Sequence, residues 1–106
     1  MTSAPDLVFE LYVAVVNDAN RRQILELRAA LAGHFDNQTW QLEVFEVIDS
    51  PEIALANDIF ATPTLVRTKP EPVVKVLNAL AMIPEALQII GHAGLRESTV
   101  FPGTFR

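Results

Sequence analysis

The chain has 106 residues, half of them hydrophobic, with eight Lys and Arg against thirteen Asp and Glu for a formal net charge of -5. That length fits one domain, the apolar content is enough to offset the entropy of ordering the chain, and the acidic balance repels a phosphate backbone and sets nucleic acid aside as a partner. The absence of cysteine removes disulfides, thiolate nucleophiles and sulfur metal ligands together.

Residues 7–16, LVFELYVAVV, are rich in β-branched and aromatic side chains and nearly unbroken in hydrophobicity, the pattern of a strand buried on both faces of a sheet. The run carries Glu10 and is too short to span a membrane, which takes about 20 apolar residues. With Asp6 and no basic residue ahead of it, the beginning does not read as a signal peptide, so the expected location is cytoplasmic.

Asn17, Asp18 and Asn20 then offer cap oxygens, and Gln23 stands three residues after Asn20 as a loose capping box. Ile24, Leu27, Leu31 and Phe35 follow at spacings of three and four, with Arg21, Arg22, Glu26 and Arg28 left for the outer face, which predicts an amphipathic helix lying on a sheet. Gly33, Asp36 and Asn37 loosen its end. Residues 40–48, WQLEVFEVI, alternate at first and then turn apolar, as a second strand would. Strand, helix and strand within some forty residues make a right-handed βαβ unit with parallel strands.

Asp49 or Ser50 followed by Pro51 and Glu52 supplies a cap and an N1 proline for a short helix ending near Asn57 or Asp58. Residues 59–67 read as a loop entering a strand at Pro63. Lys69-Pro70-Glu71-Pro72 breaks the pattern, since each proline fixes φ and pushes its predecessor toward extended geometry, and an antiparallel hairpin is the simplest connection. Residues 73–80 favour strand in their first half, while 77–82 continue equally well as helix; strand is the reading taken. Pro84 opens a last helix with Ile83, Leu87 and Ile90 inward and Gly91 and Gly94 weakening its end. The expected architecture is one α/β domain over residues 1–106 in the order βαβαββα, a thioredoxin-like class, with an ordered core from about 6 to 95 and a frayed tail over 96–106.

Catalytic chemistry is missing at each place where such a fold would carry it. A thiol enzyme of this class sets Cys-x-x-Cys at the start of the first helix, and the corresponding residues are Asn17-Asp18-Ala19-Asn20. Two histidines, His34 and His92, form no metal-ligand spacing. Glu43 and Glu46, an odd number of residues apart on a strand, point to opposite faces and form no carboxylate pair. Ser3, Ser50 and Ser98 lack a nucleophile-elbow context, and the four glycines make no phosphate loop. No enzyme activity, cofactor or metal is expected.

ELYVA at 10–14, VID at 47–49 with Pro51, ATPTL at 61–65 and the Pro70, Pro72 pair resemble the KaiB clock-protein family over about residues 7–80. A related domain begins the SasA histidine kinases. The resemblance implies a protein without chemistry of its own that binds the ring-shaped ATPase KaiC, competes with SasA and sequesters KaiA. It also implies two folds, a tetrameric ground state ordered βαββααβ and a thioredoxin-like monomer that binds KaiC, differing beyond about Asn57. Switching of that kind requires two packings within a few kcal/mol, and Pro63, Pro70 and Pro72 are the candidates for slowing it. Where clock members read Gly-Leu-Asp, this chain has Ile89-Ile90-Gly91, and Ile89 and Ile90 are better helix residues than glycine or aspartate, so the thioredoxin-like monomer is the expected form. The family's basic contact residues have counterparts in Arg22, Arg67 and Lys75, while Asp58 stands where a lysine would be expected.

Overall fold

The computed structural model describes residues 4–92, with the element order β1 (Leu7–Val13), α1 (Asp18–His34), β2 (Trp40–Glu46), α2 (Pro51–Ala56), β3 (Thr64–Lys69), β4 (Val74–Leu77) and α3 (Ile83–His92), and a 3-10 turn over Ala79–Ala81 ahead of α3. The predicted βαβαββα order holds. Gly94 and the tail expected to fray from residue 96 lie outside the described residues. The sheet runs β2-β1-β3-β4. β1 lies inside it, parallel to β2 from Leu7↔Trp40 to Val13↔Glu46 and antiparallel to β3, while β4 closes the hairpin as an edge strand.

Alternation along the strands sorts the two faces. Leu7, Phe9, Leu11 and Val13 of β1, Leu42 of β2, Leu65 of β3 and Val76 of β4 meet Ile24, Leu27, Leu31 and Phe35 from α1 and Ala86, Leu87 and Ile90 from α3 in one buried cluster. The inward residues predicted for α1 are those found. On the opposite face Tyr12 and Val66 pack with Ala54 and Ile59 around α2, with Phe45 alongside and stacked on Tyr12 at 5.1 Å between ring centroids. Two helices cover the first face and one six-residue helix the second.

Of the cap candidates Asn17, Asp18 and Asn20, the structure selects the first, one turn ahead of the loose Asn20–Gln23 box. Asn17 is the N-cap, its side chain accepting from the Asn20 backbone at 2.9 Å, and Asn20 returns the bond to the Asn17 backbone at 2.8 Å. Asparagine thus fills the place usually taken by Glu or Gln in a capping box. α2 ends in a left-handed residue, Asp58 at φ 57. The Ile59 amide reaches back to the Ala54 carbonyl and the Asp58 amide to that of Leu55, and the buried Ile59 packs on Ala54, which together form a Schellman ending.

The ambiguous segment after Val73 divides. Residues 74–77 are strand, and Asn78 at φ 60 turns the chain into the 3-10 turn whose Ala79 and Leu80 are buried. Both halves of the sequence signal are expressed, one after the other. Thr62-Pro63, Lys69-Pro70 and Glu71-Pro72 are cis peptides, with Pro63 at the entrance to β3 and the other two in the turn between β3 and β4.

Candidate interaction surface

The end of the domain that carries the thiols in a redox enzyme is here built from amides and apolar groups. Val13, Ala14, Val15, Asn17, Asn20, Gln23, Thr62, Pro63 and Leu80 enclose a cleft of about 210 Å³. Two of its polar side chains are engaged: Asn17 and Asn20 cap each other, and Asn20 Nδ2 also donates to the Val15 carbonyl at 2.6 Å. The helix N-terminus is therefore closed by its own side chains.

Arg22 is exposed on the outer face of α1, as expected. Lys75 is exposed on β4, where its ammonium donates to the Asp58 carbonyl oxygen at 3.3 Å. Arg67 is a correction. Expected as a surface cation ready for a partner, it is 1% exposed, with Nη1 donating to the Ile90 carbonyl at 2.6 Å and Nη2 to that of Pro72 at 3.0 Å. Its Nε is buried with no partner among the described residues, and desolvation holds its pKa below the ordinary arginine value. The reason lies in parity: Arg67 is two residues from Leu65 and shares its face of β3, so it points under α3. In this fold its guanidinium ties the β3–β4 turn to the last turn of α3, a position where a cation also meets the negative end of the helix dipole.

Ile89 is half exposed on α3, and Gly91 is partly buried in the last turn of α3, with His34 Nε2 2.9 Å from the place a Cβ would occupy. On the other face of the sheet the Tyr12 hydroxyl donates to Glu10 Oε1 at 2.8 Å. Burial first, and then this bond and the nearby carboxylates Glu10 and Glu43, raise the Tyr12 pKa far above that of a free phenol. Among the described residues no three His, Asp or Glu side chains come together as a metal site.

The sequence reading passed over the most exposed large apolar side chain among the described residues. Phe60 is 84% exposed and Leu77 59%, and with Asp58, Ile59, Ala61, Thr64 and Lys75 they line an open cleft of about 400 Å³ between the end of α2 and β4. The Schellman ending explains why: it aims Ile59 inward and delivers the next residue to solvent. A phenylalanine in a short segment without periodicity, just ahead of Ala61-Thr62-Pro63, was the available signal.

The KaiB domain model matches residues 10–90 of this sequence. The chain belongs to the KaiB family. It is 32% identical over 81 residues to a circadian clock oscillator protein KaiB of Prochlorococcus marinus, covering 76% of this chain and 67% of the relative, and 35% identical over 74 residues to that of Nostoc punctiforme, covering 70% of each. Its fold is also that of the N-terminal domain of SasA from Synechococcus elongatus, with a TM-score of 0.71 across 94% of both chains at 19% identity. For this KaiB-family chain the thioredoxin-like class read from element order is thereby shared with a solved structure. No helix among the described residues is long and apolar enough to cross a membrane.

Proposed function

We propose that this KaiB-family chain is a cytoplasmic, non-enzymatic regulator that acts by binding a protein, with a KaiC-type ATPase ring as the partner and SasA and KaiA as the proteins it competes with or sequesters. The observation that carries the reading is the contrast between the two ends of the frame. The redox position is closed by the Asn17–Asn20 pair and holds no reactive group, while Phe60 and Leu77 stand in solvent beside Lys75, an apolar patch of the sort that marks interaction sites. We further infer that the monomeric thioredoxin-like form is the main species without any partner, because Ile89 lies within α3 at the position where the clock proteins carry glycine, the weaker helix former.

The test is interferometry of the full chain over an immobilised KaiC hexamer, alongside an amide NMR secondary-shift map of the free chain. Micromolar binding that weakens severalfold in Arg22→Glu supports the reading, and a free-state map in the order βαββααβ overturns the inference about the dominant form. A second reading, a KaiB-type module for another protein such as a sensor kinase or a stress-response factor, is favoured by two specific features: Arg67 faces inward and Asp58 places an anion where the clock proteins carry a cation. An unchanged anion-for-cation contact costs several kcal/mol at an interface. Failure to bind KaiC at tens of micromolar selects that second reading.

A further inference from the structure

β4 is an edge strand of four residues, hydrogen-bonded to β3 alone. Its register sets Leu65 opposite Val76, Val66 opposite Lys75 and Thr64 opposite Leu77. The phase of the ladder is fixed by the Asn78 amide, which donates to the Pro63 carbonyl at 2.8 Å. Pairs exchanging bonds with β3 alternate with pairs that do not, so the backbone N–H and C=O groups of Lys75 and Leu77 point away from the sheet. The start of the strand at Val74 and Asn78, where the chain turns away at φ 60, limit the open edge to those two residues.

The side chains of the same two residues flank the 400 Å³ cleft beside Ile59 and Phe60. Leu77 presents apolar surface, and Lys75 presents an ammonium that touches a backbone oxygen of Asp58 and has no ion-pair partner among the described residues. Outward backbone groups that face water offer a ready template for an added strand. The side chains then state what that strand carries: an apolar residue against Leu77 and Phe60, and an acidic residue two positions away on the same face against Lys75.

We propose that the β4 edge captures a short extended segment of a partner protein, added antiparallel, that reads apolar, any residue, acidic in the N to C direction. The proposal rests on the reading of the chain as a protein-binding module and supplies the mode of one contact. A second copy of this chain fits less well, because a two-fold pairing of β4 edges sets Lys75 of each copy against Leu77 of the other and gives neither ammonium a carboxylate.

The experiment uses the full chain and two fluorescein-labelled synthetic peptides, Ser-Thr-Phe-Thr-Glu-Thr-Ser and its variant with lysine in place of glutamate, read by anisotropy at low salt. The glutamate peptide should bind at least tenfold more tightly than the lysine peptide, Lys75→Glu should invert that order, and Phe60→Ser should weaken both. Both substituted positions are exposed, so circular dichroism of the variants should match the parent. In the NMR spectrum the Lys75 and Leu77 amides should shift most on titration. Equal binding of the two peptides, or amide shifts centred away from residues 74–77, overturns the proposal. So does sedimentation of the parent chain as a dimer that Leu77→Asp dissociates, or peptide binding that appears only after residues 93–106 are removed, since either result names a different occupant. KaiC capture is scored independently: peptide failure with KaiC binding intact removes only the edge contact, and the reverse removes only the choice of KaiC.

Discussion

Replacing Arg67 tests the account of the interior most directly. Its guanidinium donates to two carbonyls, one fully buried and one half-buried. Hydrogen bonds from charged donors contribute about 1.5–3 kcal/mol each, and the second is discounted to roughly 1 because solvent competes for it. Truncation of the aliphatic stem adds roughly 1–2 kcal/mol of lost packing. Against these stands the relief of desolvating a cation that has no carboxylate and one unpartnered N–H, worth about 1–3 kcal/mol on the scale of an unsatisfied buried donor. The balance for Arg67→Ala is a loss of about 2–3 kcal/mol, a fall in Tm of roughly 10–20 °C for a domain this small. Arg67→Met keeps the stem and relieves the charge, so its loss should be about 1 kcal/mol. Urea unfolding at pH 7 followed by far-ultraviolet circular dichroism measures both. An alanine variant within about 0.5 kcal/mol of the parent would show that the guanidinium holds nothing, and a methionine variant as unstable as alanine would show that the stem contributes nothing.

Asn17→Ala removes one half of the reciprocal cap and should cost about 1 kcal/mol, with Asn20→Ala adding little more once the pair is broken; a double-mutant cycle in urea gives the coupling. Gly91→Ala should stabilise by up to about 1 kcal/mol of helix propensity, because the atom in the way, His34 Nε2, is the far end of an exposed side chain that can turn aside; destabilisation in thermal melts would mean that His34 is fixed. Tyr12 is the single tyrosine of the chain, and its pKa is raised in the fold. Its contribution is therefore complete below the free-phenol value of about 10 and is lost as pH rises above it. Tyrosinate absorbance should appear only together with loss of helical signal in an alkaline titration, and in Tyr12→Phe the alkaline loss of stability should shrink.

The first half of the domain was legible because one rule governs each part of it. A nearly unbroken apolar run rich in β-branched and aromatic residues reads as an interior strand, of which residues 7–13 are the pairing part, and inward positions three and four apart fixed the buried side of α1. Where two rules competed, the reading slipped. Asn17, Asp18 and Asn20 are all good caps, and only the reciprocal bond to Asn20 decides for Asn17. Residues 73–82 mix strand and helix signals because the chain is both in turn, with Asn78 as the joint. Arg67 was misplaced since arginine is usually found at the surface; parity with Leu65 pointed inward, and the charge was allowed to outvote it. Phe60 went unnoticed for the converse reason, as apolar residues are assumed to be inside.

The layering of the sheet has one more consequence. α1 runs seventeen residues and β1 is held on both sides, by β2 and by β3, whereas α2, β4 and the 3-10 turn are three to six residues each and lean on the faces and edge of that sheet. Short pieces cannot persist alone, so these elements stand or fall on a few anchoring points. The guanidinium beneath α3 is one such bolt, fastening the β3–β4 turn to the last helix.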